Sequence, residues 1–272
     1  MLGQIQLSIT PILLYLASSA MIFRTSSEWS LTSANLSQKH YLLIACLALI
    51  SHGFALSQIV FIDGGINFGF YVTASMVLFV VVAVLIISAL TNTVDKICLF
   101  IFPVAALSLL LIQLFPEQSR VLRDFPLGMQ IHILTSIVAF SVLSIAAAQA
   151  ILVAIQDRQL RRHQPNRLMR SLPPLQIMEQ LLFKMIGAGF LMLTISLTTG
   201  LIFVHDLFVQ HLVHKTVLSI SAWLIFALLL FGKLYYGWRG KIAIRWTLIG
   251  FVTLLLAYFG SKIVLELILD RV

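Results

Sequence analysis

The chain has 272 residues, of which 60% are hydrophobic and 10% charged, with a formal charge of +8 at pH 7 and a mean hydropathy of +1.02. A soluble domain cannot hide that much apolar surface, so an integral membrane protein is implied. The apolar runs recur near the ~20 residues that a helix needs to cross the hydrocarbon layer, which excludes a barrel of short alternating strands.

Charges and turn residues divide the chain into eight predicted spans, at approximately 5–23, 41–61, 68–90, 95–115, 131–155, 182–204, 216–232 and 247–268. They predict an all-α polytopic membrane helical bundle, one integral membrane domain over residues 1–272. The first run lacks the basic flank and small-residue cleavage site of a secretory signal and is read as a retained helix.

The loop after the fifth span carries Arg158, Arg161, Arg162, Arg167 and Arg170, and the loop after the seventh carries Lys233, Arg239, Lys241 and Arg245. The positive-inside rule makes both loops cytoplasmic and puts both termini outside. Short basic loops beside membrane helices, facing anionic headgroups, also account for the net charge, so no nucleic-acid partner is called for. Cys46 and Cys98 fall near the inner ends of the second and fourth spans and form no CxxC pair; buried thiols are the plain reading.

Of the seven histidines, His52, His132, His205, His211 and His214 fall between the midplane and the predicted outer face. Imidazole is the commonest ligand for metal or haem iron and the commonest proton carrier near neutral pH, so this grouping points to a cofactor or ion site. His52 sits halfway along the second span, where an ionisable group faces protein or water rather than lipid. Its plain structural alternative is an imidazole hydrogen-bonded to a serine or carbonyl on a neighbouring helix. Gly53 beside it lets another backbone, or a flat ligand, come close.

His132 opens the fifth span, with Thr135 and Ser136 at the i+3 and i+4 spacings, giving a polar strip that should face the bundle interior. The alternative is an interfacial histidine that caps or snorkels. Between the sixth and seventh spans, His205, Asp206, His211 and His214 reach the outer face, and Asp206 is placed to orient a histidine. Their spacing matches no compact zinc signature. Solvated loop histidines describe His211 and His214 well.

Other features read as packing. Gly187, Gly189, Thr194, Ser196, Thr198, Thr199 and Gly200 in the sixth span suit close helix contact and interhelical hydrogen bonds. Lys262 and Glu266 are spaced to pair, and Tyr235, Tyr236, Trp238 and Trp246 suit an inner aromatic belt.

The run Ser219 to Ala227, then Gly237-Trp238-Arg239-Gly240, then Leu256 to Ser261, together with Ser51-His52, His132 and Pro173-Pro174-Leu175, resembles the CcsA/CcmC/HemX cytochrome c assembly superfamily, nearest its YpjD-type inner-membrane branch. The resemblance spans most of the chain and is strongest from His132 onward. It implies a multi-pass protein of the bacterial cytoplasmic (inner) membrane, with membrane lipid, haem and other inner-membrane assembly proteins as partners. By order along the chain, His132 matches the first external haem histidine of those relatives and His52 the first intramembrane one. Their second intramembrane histidine is replaced here by Phe231-Gly232, their second external one by Leu265-Glu266-Leu267, and residues 205–215 contain no tryptophan where they carry a tryptophan-rich loop.

The function this implies is haem binding or handling in an outward-facing cavity between the second, fifth and sixth to eighth helices. His132 and His52 are the expected iron ligands, with His205 and Asp206 contributing from the loop, and no catalytic residue is assigned. Two other readings stay open: a transporter or accessory subunit for a metal cation or small solute, and a scaffold without ligand. No nucleophile with its base, paired carboxylates or phosphate-cradling glycine loop points to an enzyme.

Overall fold

A computed structural model describes residues 2–27, 31–62, 65–90, 95–115, 121–122, 126–162, 172–203 and 213–260. The helices are α1 (Leu2–Ser27), α2 (Leu31–Val60), α3 (Phe70–Ala89), α4 (Asp95–Leu114), α5 (Leu127–Arg161), α6 (Leu175–Phe203), α7 (Val213–Tyr236) and α8 (Lys241–Leu255), the last continued by a π-helical turn over Leu256–Gly260. Among the described residues, seven helical segments are long and apolar enough to cross a membrane, and the apolar stretch Ser8–Arg24 of α1 is shorter. Each helix matches one predicted span. Most run several residues past the expected ends, because polar residues continue a helix beyond the hydrocarbon. α5 is the extreme case, with 35 residues and so a length of about 52 Å at 1.5 Å per residue. Its Asp157 and Arg161 pair at 3.0 Å one turn apart at the basic end.

The chain folds as two compact units. The first comprises residues 1–124 and 167–172, the second residues 125–166 and 173–272. In the first, α1 packs against both α2 and α4, and α3 against α2 and α4. The buried face of α1 carries Ser8, Tyr15, Ser18, Ser19 and Ile22. Leu56, Val60 and Val72 close the core, with Ile59, Ile66, Met76, Phe79 and Ile112 packed on them.

A small antiparallel sheet belongs to this unit, which the apolar spans do not foretell. β1 (Phe61–Ile62) pairs with β2 (Gly65–Asn67), and β2 with β3 (Val121–Leu122). Phe61 stands opposite Ile66 and Ile62 opposite Gly65.

The second unit is organised by α5, which packs along α6 and against α8, while α7 packs on α6 and α8. Small residues on α5, among them Gly128, Ala139, Ser141, Ala146, Ala147 and Ala150, are buried, and they let the neighbouring backbones approach where lipid offers no hydrophobic drive. α7 and α8 are joined by a tight turn in which Gly237 and Gly240 have φ of 65° and 59°, a region that L side chains avoid. At its close, the Gly240 N–H donates to Glu179 Oε1 of α6 at 2.9 Å.

Candidate functional site

The two histidines expected to hold a ligand fall in different units, and each ring is engaged within its own. His132 stands in the first turns of α5 and is half-buried. Its Nδ1 lies 2.8 Å from the main-chain oxygen of Ser196 on α6. A carbonyl only accepts, so Nδ1 carries the proton and donates it, which leaves the lone pair on Nε2. Among the described residues Nε2 has no hydrogen-bond partner.

The seat for this ring is built by sequence periodicity on both helices. Gly128, His132 and Ser136 follow at four-residue intervals on α5 and meet Phe203, Gly200 and Ser196, which run the opposite way along α6. A Cβ added to Gly128 would strike the Phe203 ring, and one added to Gly200 would lie 2.8 Å from His132 Cε1 and 3.0 Å from Nδ1. Ser136 Oγ lies 2.6 Å from Ser196 Oγ and donates to the His132 carbonyl at 2.7 Å. Thr199 donates to the Ser196 carbonyl at 3.0 Å. The polar strip of His132, Thr135 and Ser136 therefore meets α6 through His132 and Ser136, while Thr135 donates to Ile131 and His132 of its own helix.

His52, in the C-terminal third of α2, is fully buried. Its Nδ1 lies 3.1 Å from the Tyr15 hydroxyl of α1 and its Nε2 3.0 Å from Ser75 Oγ of α3. Ser108 of α4 donates to the Ala105 carbonyl at 2.8 Å, and its Oγ lies 3.2 Å from Ser75 Oγ. Tyr15 and Phe79 stand edge-on to the imidazole, with ring centroids at 5.7 and 5.5 Å, and Phe102 packs on Tyr15 at 5.8 Å. The space that Gly53 opens beside His52 is taken by Phe79, whose ring a Cβ on residue 53 would meet at 3.1 Å.

His205, Asp206 and His211 lie outside the described residues, as do Lys262 and Glu266. His214 is the second residue of α7, with its side chain outside the described residues. Among the described residues no three histidine, cysteine or carboxylate side chains group to hold a metal ion.

Several contributors were not singled out from sequence. Tyr15, Ser75 and Ser108 are one polar residue from each of three helices, and only their meeting at His52 gives them a role. Tyr15 carried the one available signal, a phenol amid apolar residues of the first span. Ser196 and Gly200, whose residue types suit packing, are also what orients His132. Trp223 of α7 donates from Nε1 to Thr194 Oγ1 at 2.9 Å and stacks on Phe190 at 5.5 Å, which ties α7 to α6. Gly189 meets Leu143 closely, whereas a Cβ at Gly187 would meet nothing within 4 Å; close contact expected at both is found at Gly189.

A haem iron takes an axial nitrogen with an open lone pair and a face clear for the macrocycle. His132 fits that donor chemistry, because a histidine ligand commonly donates its other N–H to a carbonyl, which fixes the tautomer and raises ligand basicity. His52 does not fit it: both ring nitrogens are taken by hydroxyls, and aromatic rings fill the flanks.

Apolar helices of membrane-crossing length, with buried hydroxyl and imidazole contacts between them, define a multi-pass helical membrane protein. Residues 41–269 match the family model described as cytochrome c assembly protein. Over 229 residues the chain is 33% identical to an inner membrane protein, YpjD, of Escherichia coli strain K12, covering 84% of this chain and 87% of that protein. Over 141 residues it is 31% identical to an uncharacterized 28.8 kDa protein in nifR3-like 5'region of Azospirillum brasilense, covering 51% of this chain and 52% of that one. No solved structure matches the chain significantly. The chain belongs to the cytochrome c assembly protein family, and it is a multi-pass inner-membrane protein.

Proposed function

We propose that this protein binds haem at the predicted outer rim of its second unit, where His132 Nε2 would hold the iron, and passes it on to other inner-membrane assembly proteins. The observation that carries the reading is the 2.8 Å contact from His132 Nδ1 to the Ser196 carbonyl. It assigns the proton to one nitrogen and holds the other ready for a metal. Bound haem would supply an iron that accepts that nitrogen. The chain's own contribution is orientation: α6 sets the tautomer through Ser196, and Gly200 makes room for the ring. His205 and Asp206 are proposed to add polar contacts from the loop between α6 and α7. No covalent chemistry is assigned to the chain, since its task is holding and release.

The test is a haemin titration of the detergent-purified protein, followed through the Soret band. The parent protein should show a saturable, shifted band, and His132→Ala should lose it while remaining folded. A parent protein whose spectrum is that of free haemin, or a His132→Ala variant that binds as the parent does, ends the proposal.

A further inference from the structure

We infer that His52 is a hydrogen-bonding hub that fastens the four helices of the first unit, and that this position, matched by order to an intramembrane haem histidine, is not an iron ligand in this chain. Each helix sends one polar group to the same place: Tyr15 from α1, His52 from α2, Ser75 from α3 and Ser108 from α4, joined by contacts of 3.1, 3.0 and 3.2 Å. Tyr15, His52 and Ser75 are wholly buried and Ser108 nearly so.

An imidazole suits this place because its two nitrogens point to opposite sides of the ring, so one side chain on α2 reaches both α1 and α3. One nitrogen donates and the other accepts, which a neutral ring does and hydroxyls on both sides can answer. At this depth no water replaces a lost partner, and the groups left behind stay unsatisfied.

The same geometry is what an iron ligand lacks. Coordination at Nε2 would displace Ser75, and coordination at Nδ1 would displace Tyr15. A macrocycle lies across the nitrogen–iron direction, where the hydroxyls of α1 and α3 stand at 3.1 and 3.0 Å. Phe79 and Tyr15 close the ring's edges. The statement about iron rests on the haem reading proposed above; the statement about the hub stands without it.

The experiment uses the full chain in detergent and the variants Tyr15→Phe, His52→Phe and the double change, each measured for thermal midpoint and for haemin binding. Each single change should lower the midpoint, and the double change should lower it by less than the sum, because either one breaks the same pair. The Soret position and apparent Kd of His52→Phe should equal those of the parent. Additive midpoint losses, an unchanged midpoint in His52→Phe, or a shifted or missing Soret band in that variant overturn the inference. If His52→Phe gives no folded protein, Tyr15→Phe and Ser75→Ala keep the imidazole and free one nitrogen each. A hub then loses midpoint with unaltered haemin binding, and a gain in haemin affinity overturns the inference. A parent that binds no haemin ends the haem reading, while the midpoints still decide the hub.

Discussion

Ser19 of α1 donates from Oγ to the Leu99 carbonyl of α4 at 2.9 Å, and Leu99 is the residue whose helical donor is missing because Pro103 stands four positions later. Proline has no N–H, so its own helix leaves that oxygen unserved. In hydrocarbon the deficit must be met from a neighbour. Ser19→Ala is expected to cost about 1 kcal/mol, within the range of interhelical hydrogen bonds in membranes. Pro103→Ala restores an internal donor, so combining the two changes should cost less than Ser19→Ala adds alone. Thermal midpoints of the three variants in detergent check this, and equal losses from Ser19→Ala in both backgrounds would sink it.

Gly200→Ala places a methyl against the His132 ring, near Cε1 and Nδ1. The ring must turn away from the Ser196 carbonyl, and with it goes the orientation of Nε2. Loss of a partner that orients a metal-binding histidine typically weakens metal affinity by about 10-fold or more. Haemin titration of Gly200→Ala should show that drop with the Soret band broadened or displaced; parent-like affinity would show that the seat is unnecessary.

Two glycines about three to four turns nearer the start of α6 separate packing from accident. Gly189 sits against Leu143, where an added Cβ would lie 2.6 Å from Cγ, and Gly187 has open space. Gly189→Ala should cost about 1–3 kcal/mol by overpacking. Gly187→Ala should be neutral or gain up to about 1 kcal/mol from helix propensity. Matching midpoints for the two variants would contradict the register of α5 on α6.

Glu179 of α6 accepts from the Gly240 N–H at the start of α8, the service that a capping-box glutamate gives its own helix, here supplied by another. Glu179→Ala should cost about 1 kcal/mol, as other lost caps do. Glu179→Gln keeps an oxygen acceptor and should cost a fraction of that. Unfolding midpoints distinguish the pair, and an alanine variant as stable as the glutamine one would remove the cap from the account.

The helices were legible because hydrophobic length is a local property, written in each run of ~20 residues. Their partners were not, since His52 meets a residue 37 positions away and Ser75 meets one 33 positions away, and no periodicity within one helix encodes such a meeting. His132 stood out by residue type, yet its orientation depends on a main-chain oxygen, a feature every residue carries. The hairpin at 61–67 escaped because strands of two and three residues show no alternation, although Asp63-Gly64 was a readable turn signal. Gly187 and Gly189 look alike in sequence, and only the 100° step between successive positions on a helix sends one toward α5 and the other away.

The acceptor for the His132 proton is a peptide oxygen, so no codon change at position 196 can delete it. Drift on α6 can crowd the ring or loosen it, but the tautomer is protected from the commonest kind of loss, replacement of a side chain. A relative that keeps a histidine at this place and the helix crossing beside it inherits the same tautomer, however far its other residues diverge.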